Sequence, residues 1–356
     1  MKIDKLHINR RSLLKAAAAV GATSTLTLAG CSEEPAAQAI PELKGAIGKN
    51  GQRIQPWHNW SGNQSCEHNE LLVPKTKDEL IAMVKNTKQH IRLVGSGHSF
   101  SGLVPTSESL MSLAYFSGLS NIDTNTKQFD VAANTVLAAA GEELWQQGLS
   151  LQNMPDINTQ TFAGAIATST HGTGINYGSM SSDITQLNLV NGLGEAIACS
   201  QDENTELFNA ARTNIGSLGV VTSIRMQAQD KYYLKETTWM MDLEEGLANA
   251  ESLRDKHRHF EMYALPHADY ILGITLDEVS KNELLAPQAS TGDAYKTFKT
   301  LSKVVDAVPF LRSFIVNTGA RTVEKEQRTG KNFEIFGNLR DIRFNEMEYS
   351  VPAEHG

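Results

Sequence analysis

Residues 94–102 read VGSGHSFSG, and this loop follows directly after a short apolar segment at 91–94. Glycine- and serine-rich loops at the end of a strand often bind phosphate, because their backbone N–H groups can approach the ligand closely. The spacing departs from the dinucleotide-binding pattern G-x-G-x-x-G, since Gly102 lies two positions late. The loop alone is also compatible with a tight turn in which His98 is incidental.

A second glycine- and threonine-rich segment, residues 156–174, reads DINTQTFAGAIATSTHGTG and is almost uncharged. Its small residues allow a flat or extended ligand to lie against the backbone, and its hydroxyl groups can bond phosphate or ring heteroatoms. A third segment, NIGSLGVV at 214–221, again precedes a predicted strand. Three glycine-rich edges on one mixed sheet would favour an extended nucleotide over three unrelated turns.

The pattern around these segments predicts a chain that mixes helices and strands. Residues 70–94 read as strand, helix and strand, with Asp78 as the predicted helix cap. Gly192-Leu193-Gly194 is typical of a hairpin turn between strands at 184–191 and 195–200. The other predicted elements are strands at 129–133, 135–139, 219–228 and 343–351, helices at 141–147, 204–212 and from 242, a strand–turn–strand unit at 257–272, and a polar helical region at 280–331.

Length and composition exclude several classes of protein. The 356 residues suffice for two domains, and 40% of them are hydrophobic. The formal net charge is −8, and no Lys/Arg-rich run follows the first thirty residues, so we expect no nucleic-acid partner. No spacing of Cys and His indicates a metal site. Cys66 and Cys199 could form a disulfide or remain two separate thiols.

The N-terminus is predicted to be an export signal covering residues 1–30, with 31–54 as a linker. A basic start is followed by an apolar stretch that Thr and Ser interrupt, which favours a cleaved signal over a membrane-spanning helix. Arg10-Arg11 followed by SLLK resembles a twin-arginine signal. LAGC, ending at Cys31, resembles a bacterial lipobox, so we expect a periplasmic protein anchored to the membrane by lipid on Cys31. In the alternative, Cys31 is an incidental part of an ordinary signal.

Four motifs occur in order along the chain: NWSGNQ at 59–64, RLVGSGHSFSG at 92–102, TFAGAIATSTHGTG at 161–174 and GSLGVVTSIRM at 216–226. Together they resemble the FAD-linked oxidases of the vanillyl-alcohol oxidase type, in the branch of aldonolactone and alditol oxidases. The resemblance implies an α+β fold. It has a two-lobed PCMH-type FAD-binding domain at 55–229, followed by an α+β substrate domain at 230–356 that is incomplete at its C-terminus.

The resemblance implies FAD bound covalently through His98, because this branch bonds the histidine of the G-x-G-H-S loop to the flavin 8α position. A neutral imidazole nitrogen is a suitable nucleophile. A second covalent link is not expected. Doubly linked relatives carry a cysteine in the second loop, and the corresponding segment of this sequence, residues 156–174, has none. We interpret Asp156 as a turn-capping carboxylate. The implied FAD-binding residues are Val94, Gly95, Ser96, Gly97, His98, Ser99, Phe100, Thr161, Gly164, Ser169, His171, Gly172, Thr173, Gly219, Val220 and Val221.

The implied reaction is oxidation of a CH–OH group by hydride transfer to FAD. The substrate would be an aldonolactone of the D-arabinono-1,4-lactone or L-gulono-1,4-lactone type, and Glu346 would hold its hydroxyl groups unless it is simply a surface carboxylate. The alternatives are an alditol oxidase, another FAD-linked alcohol oxidase, or a non-catalytic membrane-tethered flavin-binding module. Oxygen, a quinone or a cytochrome could accept the electrons. Relatives continue into a segment with a His-Trp-x-Lys motif that this sequence lacks, so we expect a fragment or a truncated chain.

Overall fold

The computed structural model describes residues 46–47, 53–54, 56–264, 266–286, 305, 308–337 and 343–355. The predicted signal, Cys31 and most of the predicted linker lie outside these residues. The strands are β1 (Ala46–Ile47), β2 (Arg53–Ile54), β3 (Trp57–His58), β4 (Ser65–Cys66), β5 (Glu70–Leu72), β6 (Ile91–Val94), β7 (Ser109–Ser112), β8 (Leu119–Asp123), β9 (Gln128–Ala132), β10 (Leu149–Ser150), β11 (Ile184–Val190), β12 (Ala196–Ser200), β13 (Val220–Gln227), β14 (Gln229–Asp230), β15 (Tyr233–Asp242), β16 (His259–Ala264), β17 (Tyr270–Val279) and β18 (Glu326–Lys331). The α-helices are α1 (Lys77–Asn86), α2 (Leu137–Gln146), α3 (Phe162–Ala167), α4 (Thr205–Ala211), α5 (Leu243–Lys256), α6 (Arg312–Ala320) and α7 (Asn332–Phe336).

The first lobe is a three-stranded parallel sheet in the order β5-β7-β6, with α1 as the crossover helix. Leu80 and Val84, which lie four residues apart, are the buried positions of α1. The predicted cap is wrong: the Thr76 side chain, and not Asp78, accepts the Glu79 N–H at 3.2 Å. Asp78 lies in the first turn instead, where a carboxylate favours the positive end of the helix. Strand β6 ends at Val94, so the glycine-rich loop begins at the carboxyl edge of this sheet.

The second lobe is a five-stranded sheet in the order β12-β11-β13-β9-β8, with every pair antiparallel. The predicted hairpin is confirmed as β11 paired with β12. The predicted strand at 135–139 is wrong, because helix α2 already begins at Leu137. Leu137, Ala140 and Leu144 are buried at helical spacing, and this face of α2 packs into the main core.

The third sheet lies in the C-terminal part of the chain and is antiparallel, in the order β16-β17-β15-β18. Strand β18 occupies part of the region predicted as helical, and its residues Glu326–Lys331 pair antiparallel with β15. The strand predicted at 343–351 is absent, since these residues form no regular element. Phe344 instead packs against rings of the first lobe.

The glycine-rich segments belong to both lobes and not to one mixed sheet. The first follows β6, the second surrounds α3, and the third precedes β13. The main core extends through α2, α3 and β13 and includes Phe333 and Phe336 of α7, so the C-terminal part packs on the second lobe. Cys66 and Cys199 are both free thiols. Within the described ranges, no helix is long and apolar enough to cross a bilayer.

Candidate functional site

The three glycine-rich segments converge on one cavity of about 960 Å³. All the FAD-binding residues predicted from the sequence line it except Val220. The Val220 side chain packs into a small core with Leu72 and Met111, whereas the neighbouring Val221 faces the cavity, because successive strand residues point to opposite faces. Glu346, predicted to hold substrate, also lines the cavity.

The first and second segments touch at Gly95. A Cβ atom on Gly95 would lie 2.4 Å from the Thr161 Oγ1 atom. That same hydroxyl accepts the Gly164 N–H at 3.3 Å and caps α3. The absence of a side chain at Gly95 therefore brings the loop after β6 against the start of α3, and both backbones face the cavity.

His98 presents a neutral, fixed imidazole beside the cavity. Its ring stacks on Trp60, with centroids 5.2 Å apart and planes inclined by 25°. The Nε2 atom lies 2.7 Å from the Thr159 Oγ1 atom. The Nδ1 atom is buried and has no hydrogen-bond partner in the described part of the chain. Burial lowers the pKa of His98 below its ordinary value of 6.5, so the ring is uncharged at neutral pH.

Residues 343–355 reach the same cavity from the far end of the sequence. Phe344 contacts Trp60 edge-on at 5.3 Å and Phe100 at 5.8 Å between ring centroids. This contact brings Glu346 and Glu348 to the cavity wall. The sequence analysis selected Glu346 and assigned no role to Glu348, although the two residues share one face of the predicted strand.

Glu348 pairs with the second glycine-rich segment. Its Oε1 atom lies 2.8 Å from His171 Nε2. The other ring nitrogen of His171 lies 2.8 Å from the carbonyl oxygen of Gly172. Glu346, by contrast, makes no hydrogen bond or ion pair with the residues that the structure describes, so its carboxylate is available to a ligand.

The turn at Gly172–Gly174 is held by two buried side chains. Asn153 Nδ2 donates to the Thr173 carbonyl at 3.1 Å, and His259 Nδ1 lies 2.7 Å from the same oxygen. Burial lowers the pKa of His259 to about 4, so the neutral ring donates its Nδ1 proton to the carbonyl. A Cβ on Gly172 would lie 2.2 Å from Asn153 Oδ1, so this close approach requires glycine.

Strand β16 of the third sheet supplies the opposite wall. Glu261 and Tyr263 line the cavity, and the Tyr263 hydroxyl donates to Glu261 Oε2 at 2.7 Å. Sequence reasoning missed both residues. Glu261 and Tyr263 alternate with His259 along the strand, which predicts that the three side chains share one face. The alternation does not indicate which lobe that face contacts.

Arg258 anchors β16 to the second lobe. Its guanidinium lies 4.3 Å from the Tyr177 ring centroid and 4.5 Å from that of Tyr232. It also donates to the Gln152 carbonyl at 2.9 Å and pairs with Glu278. These contacts fix the wall that carries Glu261 relative to the glycine-rich turns.

The third segment and the second contribute further lining residues that the sequence reasoning did not select. Asn214, Ile215 and Gly216 line the cavity, and the Gly216 N–H donates to Asn214 Oδ1 at 2.6 Å. Ile215 adopts a positive φ of 45°. Asp156, at the start of the second glycine-rich segment, also lines the cavity.

The residues present fit a flavin dinucleotide. Three separate backbone segments line the cavity, and Gly95, Gly172 and Gly219 let these segments pack closely against neighbouring parts of the chain. The buried Nδ1 atom of His98 lacks a partner, as expected for an atom that bonds a ligand. Uncharged segments with backbone donors suit a diphosphate better than they suit an apolar ligand.

Three family models match the chain. The FAD binding domain model matches residues 70–200, and the D-arabinono-1,4-lactone oxidase model matches residues 224–356. The model of the twin-arginine translocation pathway signal sequence matches residues 7–27.

Curated relatives carry lactone-oxidising names. An L-gulono-1,4-lactone dehydrogenase of Mycobacterium tuberculosis is 28% identical over 311 residues, covering 84% of this chain and 71% of the relative. An L-gulonolactone oxidase of Bos taurus is 29% identical, covering 65% of this chain and 53% of the relative. A D-arabinono-1,4-lactone oxidase of Kluyveromyces lactis is 28% identical, covering 84% and 60%. The chain thus spans only part of each relative.

Solved structures share the fold. The crystal structure of cholesterol oxidase from B. sterolicum aligns with a TM-score of 0.63 at 15% identity, covering 77% of this chain and 60% of that one. A solvent-stable cholesterol oxidase aligns with a TM-score of 0.63 at 18% identity, covering 78% and 61%. At these identities the likeness concerns the α+β architecture alone.

Proposed function

Because the chain belongs to the family of FAD-linked aldonolactone oxidases, we propose that it oxidises a CH–OH group of a sugar-derived aldonolactone. The substrates would be of the D-arabinono-1,4-lactone or L-gulono-1,4-lactone type, with FAD attached covalently to His98. The observation that carries the proposal is the convergence of three glycine-rich segments on a cavity beside the unpartnered His98 Nδ1 atom. Carboxylates from the C-terminal part line the same cavity.

The covalent link has a simple stoichiometry. Attachment would replace one C–H bond of the flavin 8-methyl group and one imidazole N–H bond of His98 with a single C–N bond. The two protons and two electrons released would reduce dioxygen to hydrogen peroxide. His98 suits this role because burial keeps it neutral and stacking on Trp60 fixes its plane.

FAD, when bound, supplies a two-electron acceptor for the hydride that leaves the substrate carbon. The chain's own residues bind and orient the substrate. The Glu346 carboxylate accepts hydrogen bonds from substrate hydroxyls, and Glu261 offers a second carboxylate from the opposite wall. Glu348 is already paired with His171 and holds the glycine-rich turn in place. Two carboxylates on opposite walls suit a ligand that carries several hydroxyl groups, such as a sugar lactone.

The matching twin-arginine signal supports export of the folded protein, and the proposal adds a destination. We infer that Cys31 receives lipid and holds the mature protein at the membrane on the periplasmic side. Covalent attachment would then keep the flavin on the protein in a compartment where lost FAD is not replaced.

The test is a substrate panel with the full chain and an artificial dye as electron acceptor. We expect dye reduction with aldonolactones, and an increase in KM of about tenfold for Glu346→Gln, since the loss of one charge-assisted hydrogen bond weakens substrate binding. The exposed Glu206→Gln on α4 is the matched control and should leave KM unchanged.

Other outcomes separate the alternatives. Preference for alditols over lactones would replace the proposed substrate class. If the flavin-loaded protein fails to reduce the dye with every alcohol and lactone in the panel, it is a non-catalytic flavin-binding module and the proposal is overturned.

A further inference from the structure

We propose that Thr159 is a positioning residue for flavin attachment: its hydroxyl accepts the Nε2 proton of His98 and so stabilises the tautomer in which Nδ1 carries a free lone pair. This inference rests on the covalent link proposed above and assigns a role to a residue outside the cavity lining. The Thr159 Oγ1 atom lies 2.7 Å from His98 Nε2, and no other hydrogen-bond partner of the ring occurs in the described part of the chain.

A neutral imidazole carries one proton, and it acts as a nucleophile through the nitrogen that lacks it. With the proton on Nε2, the ring donates to Thr159 and leaves the Nδ1 lone pair without a partner. With the proton on Nδ1, the ring would bury an N–H donor that bonds nothing, and such orphaned donors are rarer in proteins than unsatisfied acceptors. The burial of Nδ1 therefore favours the reactive tautomer, and the Thr159 hydroxyl is the acceptor that its Nε2 proton needs.

The position of Thr159 is itself fixed by the backbone. Its neighbours Asn158 and Gln160 accept hydrogen bonds through their carbonyl oxygens from Ala138 and Leu137, both at 3.0 Å, at the start of α2. Helix α2 is in turn packed into the main core through Leu137. On its other side the imidazole stacks on Trp60. The ring is thus held between a rigid turn and an indole.

A hydroxyl also suits the end of the reaction. When the C–N bond forms at Nδ1, the proton that the ring must lose is the one on Nε2, which faces Thr159. After that proton has left, Nε2 holds a lone pair and accepts the Thr159 hydroxyl proton as a hydrogen bond. A hydroxyl group can accept first and donate afterwards, whereas a methyl group can do neither.

The experiment follows covalent attachment itself and not turnover. Full-length chain prepared from riboflavin-starved cells is mixed with FAD in air, and the flavin fluorescence that stays with acid-denatured protein is measured over time. We expect Thr159→Val to slow attachment about tenfold or more, which corresponds to the loss of one hydrogen bond in the rate-limiting step. Thr159→Ser, which keeps the hydroxyl, should attach flavin at nearly the wild-type rate.

A purely structural role for Thr159 would give a different pattern. If Thr159→Val attaches flavin as fast as wild type, or if Thr159→Ser is as slow as Thr159→Val, the inference is wrong. Non-covalent FAD binding, measured by quenching of flavin fluorescence on mixing, should stay within about twofold in both variants. Failure of the wild-type protein to attach flavin would instead refute the covalent link itself, and His98→Ala provides the reference for that result.

Discussion

At the scale of single residues, Gly95 decides whether the first two glycine-rich segments can meet. The Thr161 hydroxyl occupies the space that a Cβ on Gly95 would need, and that hydroxyl caps α3. Thr161 cannot move aside without losing the cap. The loop that carries His98 can therefore pack against the start of α3 only because residue 95 has no Cβ atom.

This geometry predicts that Gly95→Ala lowers the free energy of unfolding by about 1–2 kcal/mol, the usual effect of losing a helix cap. It should also weaken non-covalent FAD binding, because both displaced backbones line the cavity. Urea unfolding and flavin titration measure the two effects. Gly192→Ala is the matched control, since a Cβ there meets no atom within 4 Å. Equal behaviour of the two variants would contradict this view of Gly95.

Single residues also show which parts of the candidate site the sequence can indicate. His98 was selected because it lies in the G-x-G-H-S loop. A motif made of adjacent residues can be found in the sequence without knowledge of the tertiary structure. Thr159 and Glu261 were missed, because only the fold brings them to the site: Thr159 meets a residue distant in sequence, and Glu261 lies on a strand of the third sheet. Glu348 was missed for the same reason: its partner, His171, lies in a different lobe.

At the scale of elements, strand β16 joins the two halves of the site. His259, Glu261 and Tyr263 alternate along it and share one face. His259 bonds the glycine-rich turn, whereas Glu261 and Tyr263 line the cavity. One strand therefore both holds the flavin side of the site and supplies its opposite wall.

The buried state of His259 predicts a pH-dependent stability. Burial depresses its folded pKa from 6.5 to about 4, so its contribution is fully present above pH 6.5 and is lost as the pH falls towards 4. Between pH 7 and pH 5, wild type should lose about 2 kcal/mol of unfolding free energy relative to His259→Asn. Asparagine keeps an N–H donor for the Thr173 carbonyl but does not titrate.

Wild type must be compared with His259→Asn because Asp183 also titrates between pH 5 and pH 7. Burial raises the pKa of Asp183 to about 6, so its contribution is present at low pH and declines as the pH rises through 6. This opposite trend is common to both proteins and cancels in the difference. Parallel pH profiles from urea unfolding would show that His259 is not buried as described.

Helices and strands were predicted correctly where the sequence pattern is local. The predictions were wrong where tertiary contacts determine which element forms. The β11–β12 hairpin followed from its turn residues. Residues 135–139 were mistaken for a strand because a short apolar run fits the periodicity of a helix as well as that of a strand. Only the packing of α2 on the main core distinguishes the two structures. Residues 343–351 alternate like a strand, but Phe344 packs on Trp60, and these residues pair with no strand among the residues that the structure describes.

At the scale of the whole molecule, the site exists only where three parts of the chain meet. The first lobe contributes the His98 loop, the second lobe contributes α3 and the turn before β13, and the C-terminal part contributes β16 and residues 346–349. The α+β architecture was predictable from the resemblance. The junction was not, since Arg258 fixes it by stacking between Tyr177 and Tyr232, residues with no sequence motif in common.

The covalent link to His98 is the claim on which the account rests, and peptide mapping of the acid-denatured full chain tests it most directly. The account predicts that flavin stays with the protein and that mass spectrometry finds it on the proteolytic peptide containing His98, whereas His98→Ala releases all its flavin. Release of all flavin from the wild-type protein in acid, or its recovery on another residue, would contradict the account.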